Sequence, residues 1–162
     1  MKLSTKGRYA VMAMVDLSTH FGDGPVTLAD IAERQEISLS YLEQLFAKLR
    51  RAGLVKSVRG PGGGYRLSFL PDSIRIADIV MAVDEPLKVT RCKEGSVKGC
   101  LHSSGRCLTH DLWDELGRQI YLYLSSVSLG DVVARRIASS RLVQPQDAPV
   151  ALLAPAREPE PA

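Results

Sequence analysis

Apolar positions recur at helical spacing through the first fifty residues. Tyr9, Ala10, Ala13, Met14 and Leu17 share one face of the segment from Thr5 to His20 and predict a first helix. Two glycines and a proline between Phe21 and Pro25 end it. Thr27 is placed to cap a short helix, LADIAERQ, with Asp30 three residues on as an approximate capping box. Ser38 then starts a third helix, LSYLEQLFAKLRRA, which Gly53 stops. Its core stripe is Leu42, Leu45, Phe46 and Leu49, which turns Ser40, Tyr41, Glu43, Gln44 and Lys48 outward.

Two short strands follow, LVKSV and YRLSF, joined by RGPGGG. A short helix, a tight turn, a polar-faced helix and a hairpin together predict a winged helix-turn-helix. Ser40, Tyr41, Glu43 and Gln44 carry groups that hydrogen-bond base edges in a major groove. Glu43 only accepts, so it suits a donor such as cytosine N4 and is repelled by phosphate. Arg59 and the glycines at 62–64 form the wing tip, where glycine backbone approaches phosphate closely and an arginine enters a narrow minor groove. A phosphate loop for a nucleotide is a poor reading of this glycine run, because no Lys-Ser/Thr pair and no helix follow it.

Charge supports a polyanion partner. The net charge is only +3 over 162 residues. Lys48, Arg50, Arg51, Lys56, Arg59 and Arg66, however, stand together with no acidic residue between Lys48 and Arg66. No apolar run is long enough for a membrane span. No Ser/His/Asp set, paired-carboxylate cleft or cofactor fingerprint stands out, so neither an enzyme nor a small-molecule substrate is expected.

Beyond the wing, IRIADIVMAVDEP predicts a short helix whose Ile76, Ile79, Val80 and Val83 face the core. THDLWDELGRQIYLYLSSV predicts a long helix with Leu112, Leu116, Ile120, Tyr123 and Val127 in a stripe that Trp113 and Leu124 widen. So broad an apolar face suits a two-fold partner, or a fold back onto its own domain. Ser128 caps a last short helix, SLGDVVARRIA. From about Val143 the composition turns to Pro, Ala and Glu, as in a disordered tail.

Every cysteine of the chain lies between these two helices, at Cys92, Cys100 and Cys107, with His110 just after. The stretch is rich in Gly and Ser and has little apolar surface to bury, so a bound soft metal centre is its natural organiser. Free thiols without an export signal point to a reducing cytoplasm. His102 is a second imidazole in the loop and leaves the fourth ligand open. Zinc is the main competing metal, although the spacing lacks a CxxC knuckle.

With helix, wing and cysteine loop in this order, the chain resembles the winged-helix family of bacterial iron–sulfur cluster regulators. The runs KGRYAV, ISLSYLEQLF, GLV..VRGPGGGY and AVDEP carry the resemblance, with TRC at 90–92 and CLTH at 107–110. It covers roughly residues 1–134.

The resemblance implies a mainly α fold. A winged helix-turn-helix DNA-binding domain would span 1–85, a cysteine-rich cluster loop 86–111, a dimerisation helix with a short terminal helix 108–140, and a disordered tail 143–162. It implies a cytoplasmic homodimer that binds double-stranded DNA at a pseudo-palindromic operator. The protein would repress or activate genes, cluster-assembly genes among them, through a [2Fe-2S] cluster on Cys92, Cys100, Cys107 and His110. The matching DNA-facing residues are Ser38, Ser40, Tyr41, Glu43, Gln44 and Arg59.

Seven residues separate Cys92 from Cys100 and six separate Cys100 from Cys107, wider than the family's usual spacing. Loop closure costs grow slowly with length, so the thiolates still converge at small extra cost. The spacing keeps open a relative of the same fold that senses nitric oxide or iron through a [4Fe-4S] cluster, and a zinc-stabilised module.

Overall fold

The computed structural model describes residues 4–83 and 105–137. Cys92, Cys100, His102 and the tail expected to be disordered lie outside the described residues.

The amphipathic segments fold close to where their periodicity places them. Helix α1 spans Thr5–Thr19, α2 Leu28–Gln35 and α3 Leu39–Arg51. Strands β1 (Val55–Val58) and β2 (Gly64–Leu67) form an antiparallel hairpin, and a 3-10 turn, Pro71–Ser73, leads to α4 (Ile76–Ala82). Helices α5 (His110–Ser126) and α6 (Leu129–Val133) follow.

Local chemistry fixes these ends. The Thr27 hydroxyl accepts from the Asp30 amide at 3.1 Å and caps α2. Ser128 and Asp131 satisfy each other reciprocally at the start of α6, through Asp131 N–H to Ser128 Oγ and Ser128 N–H to Asp131 Oδ2, both 3.0 Å. α6 is shorter than expected, because Arg135 adopts a left-handed φ of 52° just beyond it.

One core gathers the apolar faces. Ala10, Ala13 and Met14 of α1 meet Leu42, Phe46 and Leu49 of α3 and Ile79 and Val80 of α4, all with no exposed surface. Burial on that scale is what holds short helices together, since segments of this length are marginal alone.

The hairpin is tied to this core on two sides. Tyr65 packs edge-on against Phe46 with ring centroids 4.9 Å apart. It also pairs with Val26 through Val26 N–H to Tyr65 O at 3.0 Å and Tyr65 N–H to Val26 O at 2.7 Å. A single-residue rung ahead of α2 thus extends the sheet and holds the wing beside α3.

Among the described residues, α5 meets the core near its C-terminal end, where Leu124 and the C-cap residue Val127 pack on it, and none of its residues is fully buried. Among the described residues, no helix is long and apolar enough to cross a membrane.

Candidate nucleic-acid interface and cluster loop

The outer face of α3 is the polar surface its periodicity predicts. Ser38, Ser40, Glu43 and Gln44 are exposed, whereas the stripe behind them, Leu42, Leu45, Phe46 and Leu49, is at most 2% exposed. Ser38 occupies the N-cap position with extended backbone, but its hydroxyl makes no capping bond.

Tyr41 differs from the expectation. It is half-buried, its ring edge-on to Tyr9 of α1 at a centroid distance of 6.0 Å. The partly buried ring braces α3 against α1.

The turn into α3 is set by Glu36, which ends α2 at φ 54°, ψ 40°. This left-handed residue closes the helix-turn-helix with Ile37 N–H donating to Ala32 O at 3.1 Å.

At the wing tip, Gly60 and Gly62 hold φ of 101° and 70°, and Gly63 N–H donates to Gly60 O at 2.9 Å. Side chains disfavour those angles, so the glycines permit the turn that carries the exposed Arg59. Along the strands Lys56 faces Arg66 across the ladder, and both are exposed. Like charges opposite one another are unfavourable alone, and a polyanion relieves the repulsion.

An ion pair between a buried carboxylate and an exposed guanidinium sets how α1 and α2 meet. Asp16, only 5% exposed, accepts from Arg34 and from the Gln35 amide at 2.8 Å. Burial pushes the Asp16 carboxyl up, but hydrogen bonds from Arg34 and Gln35 outweigh it and hold the carboxyl below its ordinary value. Nothing local in the sequence signals this pair, whose partners stand eighteen residues apart.

The end of the cysteine loop is visible as a tight turn. His110 N–H donates to Cys107 O at 3.0 Å, and Cys107 Sγ lies 3.6 Å from Thr109 Oγ1. Cys107 and His110, both half-buried, thereby share one turn at the head of α5. Among the described residues no three His, Cys, Asp or Glu side chains converge on one point. Soft donors in this turn suit an iron–sulfur or zinc centre completed from the rest of the loop.

A helix-turn-helix with an exposed polar third helix and a basic glycine wing defines a DNA-binding transcription regulator. Comparison with known proteins gives the particular family. The family model for Rrf2, described as an iron-dependent transcriptional regulator, matches residues 3–135, and the chain belongs to that family.

A putative helix-turn-helix regulator of Azotobacter vinelandii, ORF2, is 60% identical over 135 residues, 83% of this chain and 80% of that protein. The helix-turn-helix regulator IscR of Aliivibrio salmonicida is 57% identical over 135 residues, 82% and 77% of the two chains.

Among solved structures, T. potens IscR superposes with a TM-score of 0.69 at 40% identity, covering 89% of this chain and 93% of that one. CymR, the global cysteine regulator of B. subtilis, superposes with the same score at 36% identity, over 83% and 98%. The chain is thus a transcriptional regulator of the IscR type, and not an enzyme.

Proposed function

We propose that the chain is a cluster-sensing regulator whose [2Fe-2S] centre is held by Cys92, Cys100, Cys107 and His110 and whose DNA affinity depends on that centre. The observation that carries the reading is the shared turn of Cys107 and His110 at the head of α5, in a chain more than half identical to IscR. Three thiolates and one imidazole suit such a cluster, because imidazole in place of thiolate changes its charge and raises its potential.

Ser38, Ser40, Tyr41, Glu43, Gln44 and Arg59 are the proposed DNA-contacting residues. Helix α5 pairs two copies, which sets the recognition helices on successive major-groove faces of a pseudo-palindrome. The genes controlled are those that assemble iron–sulfur clusters, in a reducing cytoplasm where thiolates ligate metal rather than pair. Ligation ahead of α5 shifts which half-site geometry the dimer favours.

The test is the visible spectrum and the iron, sulfide and zinc content of anaerobically purified protein. About two irons and two sulfides per chain with a red-brown chromophore support the reading. About four of each points to a nitric-oxide- or iron-sensing [4Fe-4S] regulator. A colourless protein with about one zinc makes the loop structural. Paired titrations of cluster-bound and cluster-free protein over a panel of duplexes test the coupling, and equal affinities throughout would eliminate it.

A further inference from the structure

We propose that Leu39 reads the 5-methyl group of a thymine beside the base pair that faces Glu43. The proposal rests on α3 being the base-reading helix and adds a residue to its reading surface.

Leu39 is the first residue of α3 and is 43% exposed. By periodicity it continues the stripe of Leu42, Phe46 and Leu49, each with no exposed surface, yet the core ends before it. The helix therefore carries a large apolar side chain past the edge of its own core, between the exposed Ser38 and Ser40.

Leu39 and Glu43 stand one turn apart, and residues four apart share an edge of a helix. That edge is the border between the core stripe and the polar outer face. The N-terminal turn of a recognition helix is the part that reaches deepest toward base edges.

On a major-groove floor, the one apolar feature that distinguishes a base pair is the thymine methyl group. A leucine half out of its core suits that group and gains nothing from phosphate or from hydrogen-bonding edges. The four-residue step is about 6 Å along the helix, and base pairs rise about 3.4 Å. The methyl should therefore lie within about two base pairs of the pair read by Glu43.

The full-length protein is used to enrich duplexes from a random-sequence library, and each thymine of an enriched site is then replaced by deoxyuridine in turn. This deletes only the methyl group and leaves the protein unaltered. Wild-type affinity should fall about fourfold at one thymine per half-site, from the transfer value of one buried methyl-sized group. Leu39→Ala should bind both duplexes alike, and Leu39→Met, which keeps apolar reach, should retain most of the sensitivity. Enriched sites in which no thymine methyl matters would overturn the inference, as would equal methyl sensitivity in Leu39→Ala. A wild-type protein that enriches no duplex would instead overturn the base-reading role of α3, and this inference with it.

Discussion

The Arg34 guanidinium clasps the buried carboxylate of Asp16 with two hydrogen bonds, Nε to Oδ2 at 3.0 Å and Nη2 to Oδ1 at 2.6 Å. This bidentate pair joins the last turn of α1 to the end of α2, directly before the turn that aims α3. It therefore fixes the angle at which the helix-turn-helix leaves the core.

The two partners should not be equivalent on removal. Arg34→Ala leaves a carboxylate that is 5% exposed with only Gln35 and the nearby His20 for company. Asp16→Ala leaves a guanidinium on a side chain already 38% exposed, which water reaches. Urea unfolding should show Arg34→Ala costing about 3 kcal/mol and Asp16→Ala about 1 to 2 kcal/mol. Equal losses would mean that the pair acts through packing and not through charge.

Acid should weaken the fold through the same residue. The Asp16 carboxyl is held below its ordinary value of 3.8, so the folded state binds its proton less readily than the unfolded chain. Its contribution is complete above the unfolded value and is lost as pH falls through the depressed folded value. Asp131, depressed by its bonds from Ser128, titrates with the same sign. Melting temperatures below about pH 4 should drop more steeply for wild type than for Asp16→Asn, which has no proton to take up. Parallel acid limbs would remove Asp16 as the cause.

Glu36 offers a gain in stability. A non-glycine residue in the left-handed region costs about 1 to 2 kcal/mol, and asparagine tolerates it better. Glu36→Asn should raise stability by about 0.5 to 1 kcal/mol, measured by urea unfolding, with DNA affinity unchanged. A loss would show that the Glu36 side chain holds the turn.

Gly64 should tolerate no side chain. A Cβ there would collide with the Val26 carbonyl, the acceptor of the Tyr65 amide. The atoms it would meet, in Val26 and Thr27, are all backbone, so the rung must part, at about 1 to 3 kcal/mol. Gly64→Ala should therefore lower the melting temperature and loosen the wing, seen as faster amide exchange at Tyr65 and Val26. Unchanged exchange would remove the rung as the wing's anchor.

Much of this was legible in the sequence because local rules govern it. α1, α2 and α5 fall within a residue or so of where apolar spacing and capping residues place them, and Thr27 caps as read. What escaped is long-range. Val26 joins the sheet as a single residue, too short for any alternation to show, and Asp16 meets Arg34 only once α1 and α2 have packed. Tyr41 sits on the outward side of α3 by periodicity, and only the neighbouring Tyr9 turns it into a half-buried brace. Cys107 and His110 were legible by residue type, but their shared turn depends on α5 beginning at His110.

The face of α5 carries the last prediction. Leu112 and Trp113 are 62% and 43% exposed, although the stripe they belong to is apolar enough to need a partner. Among the described residues, Leu124 and Val127 are where this segment packs on the core, so a charge placed at an exposed position nearer the start of the helix should spare the monomer fold. If α5 pairs two copies as proposed, Leu112→Glu buries an unpaired carboxylate in the dimer seam but exposes it in the monomer, where Leu112 is already open to water. Sedimentation equilibrium should then find a dimer for wild type and a folded monomer for the variant, with the wild-type helical spectrum. Affinity for a pseudo-palindromic duplex should fall by on the order of a hundredfold, because two linked half-site contacts become one, whereas affinity for a single half-site should hold. A variant that stays dimeric would place the two-fold contact elsewhere and leave the exposed face of α5 to another partner.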